Sequence, residues 1–235
     1  MKMIFGAVKF CLSFSGIYTA FVIFLILFFR IIDPPVTAFI QMNADPLFGM
    51  LAPNYIKTRP VPIQKISKYL PLAAIASEDQ MFFDHFGFDF EQIEKAMKEN
   101  KHRKRIRGAS TISMQLAKNL FLNNTKIIVR KGFEAYYTLL LELLWSKERI
   151  MEVYLNVAEM GNGIYGVEAA SKIYFNKPAL KLNASEAASI IAILPNPKVR
   201  NPKYPSGYLI SRRNHILEQM NLIGGVDLLK DGISY

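Results

Sequence analysis

The chain has 235 residues, 51% of them hydrophobic, a single cysteine and a formal net charge of +10. That length holds one sizeable domain with its own core plus a short appendage, and one cysteine excludes a disulfide framework. The basic excess selects for an anionic partner: nucleic acid, anionic lipid headgroups or a phosphorylated substrate.

The chain opens on an apolar run. Phe10 to Phe29 contains no charge and is rich in Phe, Leu and Ile; as a helix it covers roughly 30 Å, the thickness of a bilayer core. Cleaved signal peptides have shorter apolar stretches and a small-residue cleavage site, so residues 1–35 are predicted to be a cytoplasmic stub and a retained transmembrane anchor, with residues 36–235 forming the domain behind it. Lys2 and Lys9 precede the span and Arg30 follows it, which tilts the N-terminus toward the cytoplasm. Cys11 lies within the span.

Pro34-Pro35 breaks the span, and Val36–Met50 is predicted to approach the domain as an amphipathic segment. Arg59-Pro60-Val61-Pro62 is extended by its prolines. A helix follows from about Pro71 to Gln80, then a short one over Phe90–Lys98 and a polar, basic stretch over Asn100–Arg107. Ser110 or Thr111 is the N-cap of the next helix, whose apolar face is Ile112, Leu116, Ala117 and Leu120. Ile127–Trp145 is a long helical pattern. Ser146 caps another over Lys147–Val157, and the glycines of Gly161-Asn162-Gly163 make a turn. A helix restarts at Gly166 and runs toward Tyr174-Phe175. Asn183 to Glu186 reads as a capping box ahead of Ala187–Leu194, and a last helix over Tyr208–Leu222 stops at Gly224-Gly225. Period-two runs are few and no repeat is visible, so the fold is predicted to be mainly α.

Two features carry chemistry. Glu78 and Asp79 close an apolar run (Leu72 to Ala76) and are followed by Phe82, Phe83, His85 and Phe86. A carboxylate at the edge of such a wall is partly desolvated and suited to taking a proton near neutral pH, although a capping or pairing glutamate gives the same pattern. The second feature is charge. Lys95–Lys131 holds eleven Lys or Arg and one acid, Glu99, which accounts for the whole net excess. Within it, Thr111, Gln115 and Lys118 fall at i, i+4 and i+7, placing a hydroxyl, an amide and an ammonium on one helix face. These groups suit a phosphate; a solvated polar stripe is the alternative. No Walker loop, dinucleotide fingerprint or zinc-spaced Cys/His pair competes.

Read in order, Glu78-Asp79-x-x-Phe82-x-x-His85-x-Gly87, Gly108-x-Ser110-Thr111-Ile112, Arg130-Lys131-x-x-Glu134, Glu152-x-Tyr154-Leu155-Asn156 and the Gly161 to Phe175 stretch resemble the peptidoglycan glycosyltransferases of family 51. The likeness covers about Pro53 to Leu222. With no transpeptidase segment following, it points to the monofunctional, membrane-anchored kind. The resemblance implies a lysozyme-like, two-lobed α-helical domain behind one transmembrane helix, anchored in the inner membrane with the catalytic domain periplasmic. It implies polymerisation of lipid II, with Glu78 as general base and Glu134 as second carboxylate. Lys118, Lys126, Arg130 and Lys131 would hold the pyrophosphate, and Ser110, Thr111, Gln115 and Asn119 would line the donor cleft. Asp79, Phe82, His85 and Gly87 would support the site. A divalent cation (Mg or Mn) is suggested, with Asp79 as a contact. The implied partners are lipid II, the nascent glycan, the membrane and other proteins of cell-wall synthesis or division; nucleic acid is not among them. Two positions depart from the family pattern: Met114 stands where an amide is common and cannot replace its donor and acceptor, and Lys126 replaces a bidentate Arg. Competing readings are a lytic or hydrolytic muramidase on a similar fold and a non-catalytic, membrane-anchored cell-wall scaffold.

Overall fold

The structure is a computed structural model, and the residues it describes are 2–34, 59–102, 108–122 and 128–235. The Val36–Met50 approach and the basic residues Arg103, Lys104, Arg105 and Arg107 lie outside them. The chain divides into two compact units, Met1–Pro34 and Pro35–Tyr235.

The first unit is helix α1, Lys2–Ile31. Its Ser13–Ile31 portion, 19 residues, is long and apolar enough to cross a membrane.

Among its described residues, the regular structure of the second unit is helical apart from one hairpin, as the periodicity predicts. It contains α2 (Tyr69–Glu78), α3 (Phe90–Asn100), α4 (Ile112–Phe121), α5 (Ile128–Leu144), α6 (Lys147–Val157), strands β1 (Glu159–Gly161) and β2 (Ile164–Tyr165), α7 (Val167–Phe175), α8 (Ala184–Ala192) and α9 (Gly207–Leu222). Helix α2 is its axle. Every residue from Leu70 to Ala76 is buried, so this helix is apolar all round and must be enclosed on every side. It is enclosed by α6, α8, α9 and the 3-10 turns over Gly225–Asp231. Full burial of Leu70, Leu72 and Ile75 contributes about 1.5–3 kcal/mol each.

Helix α2 begins and ends two residues earlier than predicted. Pro71 sits inside its first turn rather than at its start, and Asp79 has already left helical geometry. The proline is tolerated there because first-turn N–H groups have no intrahelical acceptor. The caps agree with the sequence reading: Thr111 accepts from Met114 N, Ser146 from Arg149 N, and Asn183 and Glu186 form a reciprocal box.

The residues of the Glu152 to Asn156 motif act as a clamp. Asn156 Oδ1 accepts from Val61 N at 3.0 Å and its Nδ2 donates to Val61 O at 2.8 Å. Glu152 Oε2 accepts from Ile63 N at 2.6 Å. These bonds fix the segment that feeds α2. The β1–β2 hairpin was not legible as strands, since each has only two or three residues. It turns at Gly163 (φ 68°) and returns through Gly166 (φ 79°), where any Cβ would lie 2.5 Å from Asn156 O.

Candidate active site

Glu78 is the last residue of α2, at the point where the buried axle surfaces. The sequence predicts an apolar wall around it, and the structure adds polar partners. Ser77 Oγ donates to Glu78 Oε1 at 2.8 Å and Gln115 Nε2 donates to Oε2 at 3.1 Å. Arg212, from α9, donates through one guanidinium nitrogen to Oε1 at 3.1 Å and to Ser77 Oγ at 2.9 Å. Tyr154 Oη donates to Gln115 Oε1 at 3.1 Å and fixes that amide's orientation. The Tyr154 hydroxyl is held well above the ordinary tyrosine pKa, first by burial and then by the charges of Glu78 and Asp79, so it remains a donor. Arg212 and Tyr154 were invisible as site residues because their sequence separation from Glu78 leaves no local pattern.

Asp79 points the other way. It is buried, with Oδ1 at 2.8 Å from His85 Nε2 and Oδ2 accepting from Ile112 N at 2.9 Å. It therefore ties the end of α2 to the N-terminus of α4, where an anion suits the helix dipole. Phe82 is fully buried beneath the Lys147 ammonium, 4.7 Å from the ring centroid, and Lys147 also donates to His85 O at 2.7 Å. Gly87 needs its φ of +82°, and a Cβ there would meet Thr138 Cγ2 at 2.8 Å. Its carbonyl accepts from Thr111 Oγ1 at 2.7 Å. Thr111 is thus buried and engaged as cap and strut, not turned outward with Gln115 and Lys118 as the stripe predicts. It is the N-cap, so it precedes the regular helix whose face the spacing assumes. Met114, which has no assigned binding role, is buried in the core.

The outward face of α4 carries Gln115, Lys118 and Asn119, and these three line a cleft of about 330 Å³ whose other walls include Tyr154, Glu159 and Lys198. Gln115 is shared: it holds Glu78 and faces the cleft. Behind Lys118 stands the positive group. Its ammonium is pushed below the ordinary lysine value of 10.5, first by burial, then by Arg130, with Lys131 adding to the effect and Glu134 opposing it. Glu134 is buried, and Lys131 Nζ meets its Oε1 at 2.5 Å while lying 3.4 Å from Ser110 Oγ. So Ser110, Lys118, Arg130, Lys131 and Glu134 converge as a group, and Lys126 lies outside the described residues. Such crowded, partly desolvated cations are placed to receive a polyanion.

The donor set does not suit a protein-held divalent cation at Asp79. Both its oxygens are satisfied by protein donors, and among the described residues no three His, Cys, Asp or Glu side chains converge.

Comparison with known proteins places the chain in a family. The family model described as transglycosylase matches residues 47–221. A biosynthetic peptidoglycan transglycosylase of Bacteroides thetaiotaomicron is 60% identical over 163 residues, 69% of this chain and 66% of that protein. A protein of the same description from Yersinia pestis is 55% identical over 172 residues, 73% of this chain and 71% of that protein. The match therefore spans about two thirds of these relatives.

Proposed function

Since the chain belongs to the transglycosylase family, we propose that it is a peptidoglycan glycosyltransferase that polymerises lipid II. The growing glycan, carried on undecaprenyl pyrophosphate, is transferred to the 4-hydroxyl of an incoming lipid II with inversion at the anomeric carbon. Glu78 takes the proton of that hydroxyl as its oxygen bonds to the anomeric carbon. The bond from that carbon to the pyrophosphate oxygen breaks, and the lipid pyrophosphate leaves as the anion. Lys118, Arg130 and Lys131 stabilise the charge that grows on it, with Lys126 assigned to the same task by resemblance. Fixed cations lower the barrier because they hold the transition state more tightly than the ground state. Glu134 keeps the Lys131 ammonium in place, and Ser110, Gln115 and Asn119 line the donor path.

One observation supports this reading above the others. Gln115 donates to the carboxylate of Glu78 and lines the same cleft as Lys118, so a single amide links the proton acceptor to the cleft that holds the anion receiver. The apolar helix α1 serves as a single-pass anchor, which keeps the enzyme beside a lipid-tailed substrate. We assign its N-terminus to the cytoplasm, the domain to the periplasmic side of the inner membrane, and contacts with other cell-wall proteins to the span.

The test is glycan polymer formation from purified lipid II by wild type, Glu78→Gln and Glu134→Gln. Loss of a general base lowers the rate by about 10²–10⁴-fold. Polymerisation by Glu78→Gln at the wild-type rate would overturn the assignment, and hydrolysis of finished glycan without polymerisation would favour a muramidase.

A further inference from the structure

The cleft is equipped differently at the end away from α4. Glu159, the first residue of β1, is only 8% exposed and lines the cleft together with Lys198. Burial raises its carboxyl pKa above the usual value, while Lys198 and the Gly163 N–H act in the opposite sense. The Gly163 N–H serves one carboxyl oxygen, and the other, Oε1, is buried with no hydrogen-bond donor. Lys198 Nζ stands 3.9 Å from that oxygen, beyond hydrogen-bond range but close enough for one small polar group to touch both. Buried carboxylate oxygens without a donor are rare, because desolvation goes uncompensated.

The charges restrict what fits. Glu159 repels a phosphate and Lys198 repels a cation, so neither ion is the natural occupant. A neutral group with a donor and an acceptor side by side supplies the donor that Glu159 Oε1 lacks and meets an N–H of the Lys198 ammonium. Resting on the function proposed above, we infer that Glu159 and Lys198 form a subsite for a secondary amide of the substrate, whose N–H donates to Glu159 Oε1 and whose C=O accepts from Lys198 Nζ. The amide is either the 2-acetamido group of a sugar ring or a peptide bond of the stem. Asn196, on the same stretch of the lining, is within the subsite's wall. This makes the pair specificity-determining residues, with no part in proton transfer or in leaving-group departure.

The experiment uses the full chain in detergent. Glu159→Gln and Lys198→Met are compared with wild type on lipid II, reading KM and kcat separately. In Glu159→Gln the Gly163 N–H claims the amide oxygen and turns the amide NH₂ toward the substrate N–H, donor against donor. Lys198→Met changes a side chain that is 49% exposed and so leaves folding intact. Each variant is expected to raise KM about tenfold with kcat within about threefold. Binding of triacetylchitotriose, cellotriose (hydroxyl in place of acetamido) and N-acetylalanylalanine is followed by NMR in parallel. Binding of the chitotriose, weakened in both variants and absent for cellotriose, identifies the sugar amide; binding of the dipeptide alone identifies the stem. KM unchanged in both variants, or cellotriose binding as well as triacetylchitotriose, would overturn the subsite. A wild-type chain that fails to polymerise lipid II is instead a failure of the proposed function, and the probe-binding measurements still decide the subsite.

Discussion

Arg212 and Glu78 are 134 residues apart and joined by a hydrogen bond of 3.1 Å. The guanidinium comes from α9, which lies against α2, and the same nitrogen also holds Ser77. The carboxylate at the centre of the candidate site is therefore aimed by a helix from the far end of the chain.

Removing that cation frees the carboxylate to rotate. Arg212→Met is expected to lower kcat by about 10–100-fold while KM for lipid II changes little, because the lost interaction orients the base and does not touch the pyrophosphate group. Both contacts come from a single nitrogen, so Arg212→Lys should recover most of the rate. Steady-state kinetics on the two variants decide it; equal rates for Arg212→Met and wild type would show that the contact is ornamental.

Lys118 gives a prediction with opposite signs for stability and activity. Its folded-state pKa is lowered by burial and by Arg130 and Lys131, so between that lowered value and 10.5 the unfolded chain binds more protons and stability rises with pH. Below that window the full cost of burying the charge is present. Lys118→Met should therefore leave the free enzyme as stable as wild type or more so at pH 7, while polymerisation falls by about 10²–10³-fold. Thermal melts with and without inorganic pyrophosphate check this. Pyrophosphate should raise the wild-type Tm far more than that of the variant, and the wild-type gain should shrink as pH rises toward 10.5.

Asp79 is predicted to be a strut. Asp79→Asn keeps an oxygen for the Ile112 N–H and turns its NH₂ toward His85 Nε2, which accepts it only if the ring proton moves to Nδ1, a buried atom with no hydrogen-bond partner. A mispaired buried group of this kind costs about 1–3 kcal/mol, and differential scanning calorimetry should record a lower Tm. Magnesium or manganese added to the substrate-free wild type should leave its Tm unchanged, since both Asp79 oxygens are already engaged. A saturable metal-dependent rise would show that this residue has a ligand role.

Gly87 tests the loop that carries His85. Its φ of +82° and the 2.8 Å approach of a Cβ to Thr138 Cγ2 predict that Gly87→Ala destabilises by about 1–3 kcal/mol. Urea denaturation should show a lower midpoint with an unchanged slope.

Much of this molecule is legible along the chain. The uncharged run within α1, the all-apolar α2, the caps at Thr111, Ser146 and Asn183, and the apolar face of α4 follow from period, composition and cap chemistry, which act over a few residues. Glu78 at the end of its apolar helix and the basic concentration around Lys118, Arg130 and Lys131 are likewise local facts of order and charge. Where sequence and structure differ, the cause is a boundary: the i, i+4, i+7 spacing puts Thr111 on a helix face, and the structure makes it the cap before that helix.

What the tertiary structure alone decided is which distant groups meet. Arg212 at Glu78, Tyr154 behind Gln115, Asn156 clasping Val61, and Glu159 beside Lys198 all depend on how helices pack, and packing is set by the summed burial of many side chains rather than by any spacing in the sequence. Local propensity writes the elements and marks the reactive carboxylate; only the closing of α6, α8 and α9 around α2 brings the partners that orient it.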